Sequence, residues 1–189
     1  MSLQLYKPNK YNSGFGFSFS MGHDKNSGEP ILFVSAIMQH SWDEKARRGT
    51  FIKNKEDPEK NITLKFNEFE CGSIINAVKN RFAYDTFHQF EGKKTTIKFT
   101  PWDKESKVSK FDAKTKSYKE EIQILPNFGL TIIKNGSSTF KCSLEAGEAE
   151  CLSRFLETIL TRIYNFRIEK NIESFSKSKY SKTEEDCPI

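Results

Sequence analysis

Twice along this chain the apolar residues change their spacing from every second position to every third and fourth. Strands must therefore give way to a helix, return, and give way again. Over residues 14–20, Phe15, Phe17 and Phe19 alternate with glycine and serine, the pattern of a strand with one buried face. Residues 31–38 are apolar on both faces and read as a buried strand, and residues 47–53 and 61–66 as shorter ones, with a charged loop at 54–60 between them. The period then changes: Cys71, Ile74, Ile75, Val78 and Phe82 form a helical stripe that Asn67 and Glu70 open as a capping pair, with the helix ending near Asn80. Strand patterns resume at 84–90, 95–101, 118–125, 128–134 and 138–144, the last two joined by the hairpin dipeptide Asn135-Gly136. Leu152, Phe155, Leu156, Ile159, Leu160, Ile163 and Phe166 then form a second, wider stripe, with Glu145 and Glu148 at its positive N-terminal end, predicting a helix to about Glu169.

The two halves resemble each other. Residues 64–70 and 142–148 both run from strand end through cap to an acid that opens a helix, 78 positions apart. The expected fold class is α+β: a duplicated antiparallel sheet-plus-helix unit, with sub-repeats at about 14–82 and 84–170 inside one domain, 14–170. Residues 1–13 read as an N-terminal arm. Residues 171–189, rich in Ser and Lys, read as a flexible tail with an acidic tip.

With 189 residues the chain is long enough for a real core, and 17 Phe, 6 Tyr and 2 Trp are too many aromatics for a disordered chain. No apolar run approaches the ~20 residues of a membrane-spanning helix. Residues 1–13 lack the apolar stretch of a secretory signal. The expectation is a soluble, intracellular protein, cytoplasmic or nucleoid-associated and not secreted, without membrane contact. Cys71, Cys142, Cys151 and Cys187 show no Cys-x-x-Cys pair and read as reduced thiols. His23, His40 and His88 lack metal-ligand spacing, and neither a Gly-x-Ser-x-Gly elbow nor a phosphate-binding glycine loop is present. No catalytic residues, metal or cofactor are expected.

Thirty Lys plus Arg against 25 acids leave +5, and the excess is localised. Between Lys93 and Lys119 stand nine lysines and three acids, and residues 103–118 within that stretch read as an exposed loop or hairpin with a lysine stripe. Lys45, Arg47 and Arg48 make a second knot beside Trp42. A groove for a single nucleic-acid strand needs cations for phosphates and flat rings for unstacked bases. The candidate contacts are Trp42, Lys45, Arg47, Arg48, Phe87, Phe90, Lys93, Lys94 and Lys98, with Trp102 near the same charge. The plainer reading is that most phenylalanines are core and lysine runs are solvated surface.

The order of elements resembles the Whirly family and the related eukaryotic transcriptional positive cofactor four. The local likeness lies in Ser41-Trp42-Asp43 with Lys45, Arg47 and Arg48, in Phe66-Asn67-Glu68-Phe69-Glu70-Cys71-Gly72 entering the first helix, and in Phe87-His88-Gln89-Phe90 ahead of strand 95–99. A strand ending before Glu145 adds a further match, and the likeness spans about residues 14–168. The family's Lys-Gly-Lys-Ala-type motif is missing, and the 54–60 loop and lysine stretch are longer than the family pattern. The resemblance implies a β4-α-β4-α chain that binds single-stranded DNA without catalysis, in replication, recombination or transcription. Aromatics would hold bases, Lys and Arg would hold phosphates, and the chain would form a homo-oligomer. The alternatives are single-stranded RNA binding or annealing on the same fold, and a protein-interaction scaffold. Glu184, Glu185, Asp186, Pro188 and Ile189 are similar to the acidic tip by which bacterial single-strand-binding proteins recruit replication and recombination partners.

Overall fold

The phenylalanine alternation builds β2 (Phe15–His23), the second strand of a four-stranded antiparallel sheet, in a computed structural model that describes residues 1–181. The sheet has the order β1-β2-β3-β6, with β1 (Ser2–Lys7), β3 (Pro30–Met38) and β6 (Asn61–Phe66). The segment expected to be an N-terminal arm therefore contributes an edge strand. Leu3 and Leu5 sit opposite Phe19 and Phe17, and Leu5 is buried; only two apolar positions ahead of Pro8 gave too short a run to read as alternation. The strand expected at 47–53 is also corrected. Those residues form part of a small hairpin off the main sheet, β4 (Ser41–Asp43) with β5 (Arg48–Thr50), followed by one 3-10 turn at Ile52–Asn54. Side chains satisfy the backbone where the chain leaves β3: Asn54 Nδ2 donates to Met38 O at 2.9 Å, and Gln39 Nε2 donates to Asn9 O at 2.9 Å and Ser41 O at 3.1 Å.

After α1 (Glu68–Asn80) a second antiparallel sheet follows, in the order β7-β8-β9-β10. Its strands are β7 (Tyr84–Phe90), β8 (Lys93–Asp112), β9 (Ser117–Lys134) and β10 (Ser138–Glu145). Of the loop or hairpin expected at 103–118, the structure has the hairpin, as a two-stranded ribbon, because β8 and β9 stay paired from Thr95↔Lys134 out to Asp112↔Ser117. The expected strands 118–125 and 128–134 are one strand; Pro126 falls just past the end of the β10 pairing, an edge position that tolerates a missing N–H. α2 (Ala146–Ser181) continues past 169 through residues expected to be tail. Between Gly147 and Pro188 no glycine or proline interrupts it, and Ser174 and Ser176 turn their hydroxyls onto the carbonyls of Asn171 and Ile172. The acidic-tip residues Glu184, Glu185, Asp186, Pro188 and Ile189 lie outside the described residues.

The inner faces of both sheets and the apolar stripes of both helices form one core. Phe17, Phe19, Ile97, Phe99, Leu130, Phe140, Ile74, Leu152 and Leu156 are essentially out of water. Phe15 meets Phe140 edge-on at 6.3 Å, which joins the sheets directly. Burial of this kind is worth roughly 1.5–3 kcal/mol for each large side chain. Cys71 and Cys142 are free thiols within it, pushed up to about 12 and about 11 by burial, and so chemically quiet.

The duplication reaches the polar contacts. Asn67 accepts from Glu70 N and Glu70 returns to Asn67 N, both at 2.9 Å, a full capping box; 78 residues on, Glu148 accepts from Glu145 N at 2.9 Å. Each of these acids is answered by the first strand of the other unit: Glu70 by His88 of β7 at 2.5 Å, Glu148 by Lys7 of β1. Lys79 of α1 meets Glu157 of α2 at 2.6 Å, again 78 positions apart.

Candidate nucleic-acid interface

Strand alternation sends every second residue of β8 to the sheet's open face. That row is Lys94, Thr96, Lys98, Thr100 and Trp102, with Lys94 and Lys98 about 13 Å apart at the usual strand rise. Register sets Phe87 of β7 opposite Thr96, and Thr131 of β9 opposite Lys98. Lys94 Nζ lies 4.4 Å from the Phe87 ring centroid, a cation held over an exposed aromatic face. The Glu91-Gly92 and Asn135-Gly136 turns, each with both residues at positive φ, close this end of the sheet, and Asn135 N donates to Lys94 O at 2.8 Å. Lys94, Thr96, Ile133 and the two turns surround a depression of about 460 Å³.

Of the predicted contacts, Phe87, Lys94 and Lys98 thus share one face. Phe90 and Lys93 do not join them: they pair across the turn on the opposite parity, the side of His88, and stay exposed only because they end the sheet. Trp42, Lys45, Arg47 and Arg48 belong to the other unit, on the β4–β5 hairpin. Asp43 folds this turn by accepting from the Lys45 and Ala46 amides at 3.0 Å, and Arg47 adopts positive φ. The three cations are exposed and unpaired among the described residues. Trp42 is half-buried, and its indole N–H is shut from water without an acceptor among the described residues.

The open face of the first sheet is a surface that the sequence reading missed. Gly16 and Ser18 of β2, Ser35 of β3 and Thr63 of β6 pave the floor of a groove of about 410 Å³, bounded by Tyr6 and Lys55. Tyr6 lies opposite Gly16, so close that a Cβ there would sit 2.8 Å from the ring. Phe33 covers Gly22 in the same way at 2.7 Å, and Phe51 leans on Tyr6 at 5.4 Å. Rings laid on glycines along an uncharged floor are a stacking platform.

Charge on the ribbon is different. Lys107 meets Glu120 at 3.4 Å, Lys110 meets Glu121 at 2.6 Å and Lys119 meets Asp112 at 2.7 Å. Lys104 meets Glu145 at 3.3 Å. The lysine excess counted to position 119 stops one residue short of Glu120 and Glu121, which pair two of those lysines. Lys94, Lys98 and Lys141, all on the open face of the second sheet, make no ion pair among the described residues. No group of His, Cys, Asp and Glu among the described residues could hold a metal ion. No described helix is long and apolar enough to cross a membrane.

No protein-family model and no curated protein matches the chain. Solved structures do. WHY1 from Arabidopsis thaliana superposes with a TM-score of 0.53 at 12% identity, covering 100% of this chain and 96% of that one. WHY3 from the same plant gives 0.52 at 10% identity, over 90% and 92%. MRP1/MRP2 of trypanosoma bruciei gives 0.47 at 13%, over 88% and 96%. At such identities the likeness to the two plant structures is one of fold, and it agrees with the duplicated topology: this chain has a Whirly-like fold.

Proposed function

We propose that the chain binds single-stranded DNA with little regard to sequence, acting in replication, recombination or transcription inside the cell, and that it does so by binding alone, without catalysis. The observation that carries this reading is the outward row of β8, where unpaired lysines alternate with threonines and end at Trp102, flanked by Phe87. Cations at that spacing follow a phosphate backbone, while the rings and the Tyr6 platform accept bases by stacking, which every base can supply. Lys45, Arg47 and Arg48 add charge on the first unit's hairpin. A Whirly-like fold, together with the resemblance read from the sequence, supports the same assignment.

Tryptophan fluorescence titrated with a short oligothymidine at two salt concentrations tests it. Quenching that weakens steeply with salt is the expected result, and Trp102→Ala should remove much of the signal and weaken binding by about 1–3 kcal/mol. A matched RNA oligomer that outcompetes the DNA moves the assignment to RNA. Absence of any salt-sensitive binding overturns it in favour of a protein-interaction scaffold.

A further inference from the structure

Beyond Trp102 and Asn127 the two strands of the ribbon run on together for about ten residues each, roughly 30 Å at the strand rise. Of the six lysines from 104 to 119, four meet acids along its length: Lys104 with Glu145, Lys107 with Glu120, Lys110 with Glu121 and Lys119 with Asp112. Lys114 and Lys116, both in the closing turn, make no ion pair among the described residues. Beside them Phe111 and Tyr118 pair across the strands with ring centroids 5.4 Å apart, and stay 58% and 74% exposed. Unmatched cations and open rings therefore coincide at the far end of the arm.

This turn is built as two others are. Asp24, Asp43 and Asp112 each start a loop by accepting from the amides two and three positions on: Asn26 and Ser27, Lys45 and Ala46, Lys114 and Thr115. Four positions past the Asp, each loop turns to positive φ. The first does so with Gly28 at 73°, the residue that takes this conformation without strain; the other two place Arg47 at 47° and Lys116 at 51°. A cation thus holds the glycine position in the two loops that also carry Trp42 or Phe111 just before the Asp and Lys45 or Lys114 two residues after it. A lysine needed only for solubility could sit at an unstrained position; strain retained at a particular residue marks a functional one.

We infer that the ribbon tip, through Phe111, Lys114, Lys116 and Tyr118, takes hold of the bound single strand at a second point, about 30 Å past Trp102. The stretch between is a spacer whose lysines already have acids, whereas the tip offers two free charges for phosphates and two rings for bases. The tip's role rests on the nucleic-acid reading of the sheet and extends it.

Labelled oligothymidines of about 5 and about 20 nucleotides separate the two contacts, since the shorter covers one and the longer spans both. In fluorescence anisotropy with full-length protein, the longer should bind more tightly. Lys114→Ala combined with Lys116→Gly should cut that gain about fivefold or more and lower the longer oligomer's salt slope by about 1.4, two phosphates at about 0.7 each. Phe111→Ala should cut the gain with little change in slope. Lys116→Gly by itself relieves the turn, so its urea midpoint should not fall even as the affinity drops. Lys25→Ala, in the Asp24 loop, controls for a simple loss of charge. A gain unaltered by the tip variants, or reduced as much by Lys25→Ala, overturns the inference and leaves the sheet's role standing. If neither length binds in a salt-dependent way, the proposed function fails and the tip's role with it.

Discussion

On their inner sides β2 and β8 are alike: Phe17 and Phe19 on one, Ile97 and Phe99 on the other, all essentially without solvent contact. On their outer sides they differ. The first sheet turns Gly16, Ser18, Ser20 and Gly22 outward beneath the rings of Tyr6 and Phe33, which cover them; the second turns Lys94, Thr96, Lys98, Thr100 and Trp102 outward. One backbone plan, used twice, fixes the apolar face of each copy and leaves the other face free to specialise. In the functional reading, one sheet supplies a flat uncharged bed and the other supplies positive charge.

The comparison breaks most readily through the core. Phe19→Ala and Phe99→Ala should each cost about 3–5 kcal/mol, both in a single urea transition followed by fluorescence and circular dichroism. Two separated transitions would show that the sheets do not share one interior. Next come the crossed carboxylates. Glu70 is 4% exposed and Glu148 far less enclosed, so Glu70→Ala should cost about 2–3 kcal/mol and Glu148→Ala about 1 kcal/mol by the same measurement. Burial alone would push the Glu148 carboxyl up, but Lys7 and the Glu145 amide outweigh it and hold it below the usual carboxylate range. A depressed carboxylate stabilises the fold above the unfolded range and loses that contribution as pH falls through its folded value. The stability gap between the natural chain and Glu148→Ala should therefore narrow on going from neutral to acid.

Smaller effects sharpen the contrast between the open faces. Tyr6→Ala should weaken oligothymidine binding by about 1–3 kcal/mol and leave the salt slope alone, whereas Lys98→Ala should lower that slope by nearly one unit. If both substitutions act through the slope, the first sheet is no stacking bed. Smallest is Lys110→Ala. Its charge is already met by Glu121, so affinity and stability should stay within about 0.5 kcal/mol of the natural chain and the salt slope should not change.

Much of this architecture was legible in the chain itself. The Asn67–Glu70 box, the Asn135-Gly136 hairpin and the repeat at 78 residues are local signals, and the structure contains all three. A hairpin at 103–118 was one of two readings, but the ribbon's full length was not legible, because both its faces mix charged and apolar residues and its cross-strand ion pairs exist only once the register is set. The same holds for Tyr6 on Gly16: ten residues separate them in sequence, and neither alone signals a platform. The division of Phe87 and Lys94 from Phe90 and Lys93 could have been read. Alternation about the Glu91-Gly92 turn assigns them to opposite faces, and proximity in sequence obscured it. The continuation of α2 was visible too, in the absence of glycine and proline beyond Gly147, though its polar composition looked like tail.

Glu70 and Glu148 each open a helix in one half and find their side-chain partner in the other. Severing the backbone between Phe82 and Tyr84 would give two fragments, each with an acid missing its partner and part of the shared core missing. Neither piece should be self-sufficient, and the two should restore the fold only when mixed. In a chain built this way the halves are not independent modules: each is part of the other's scaffold.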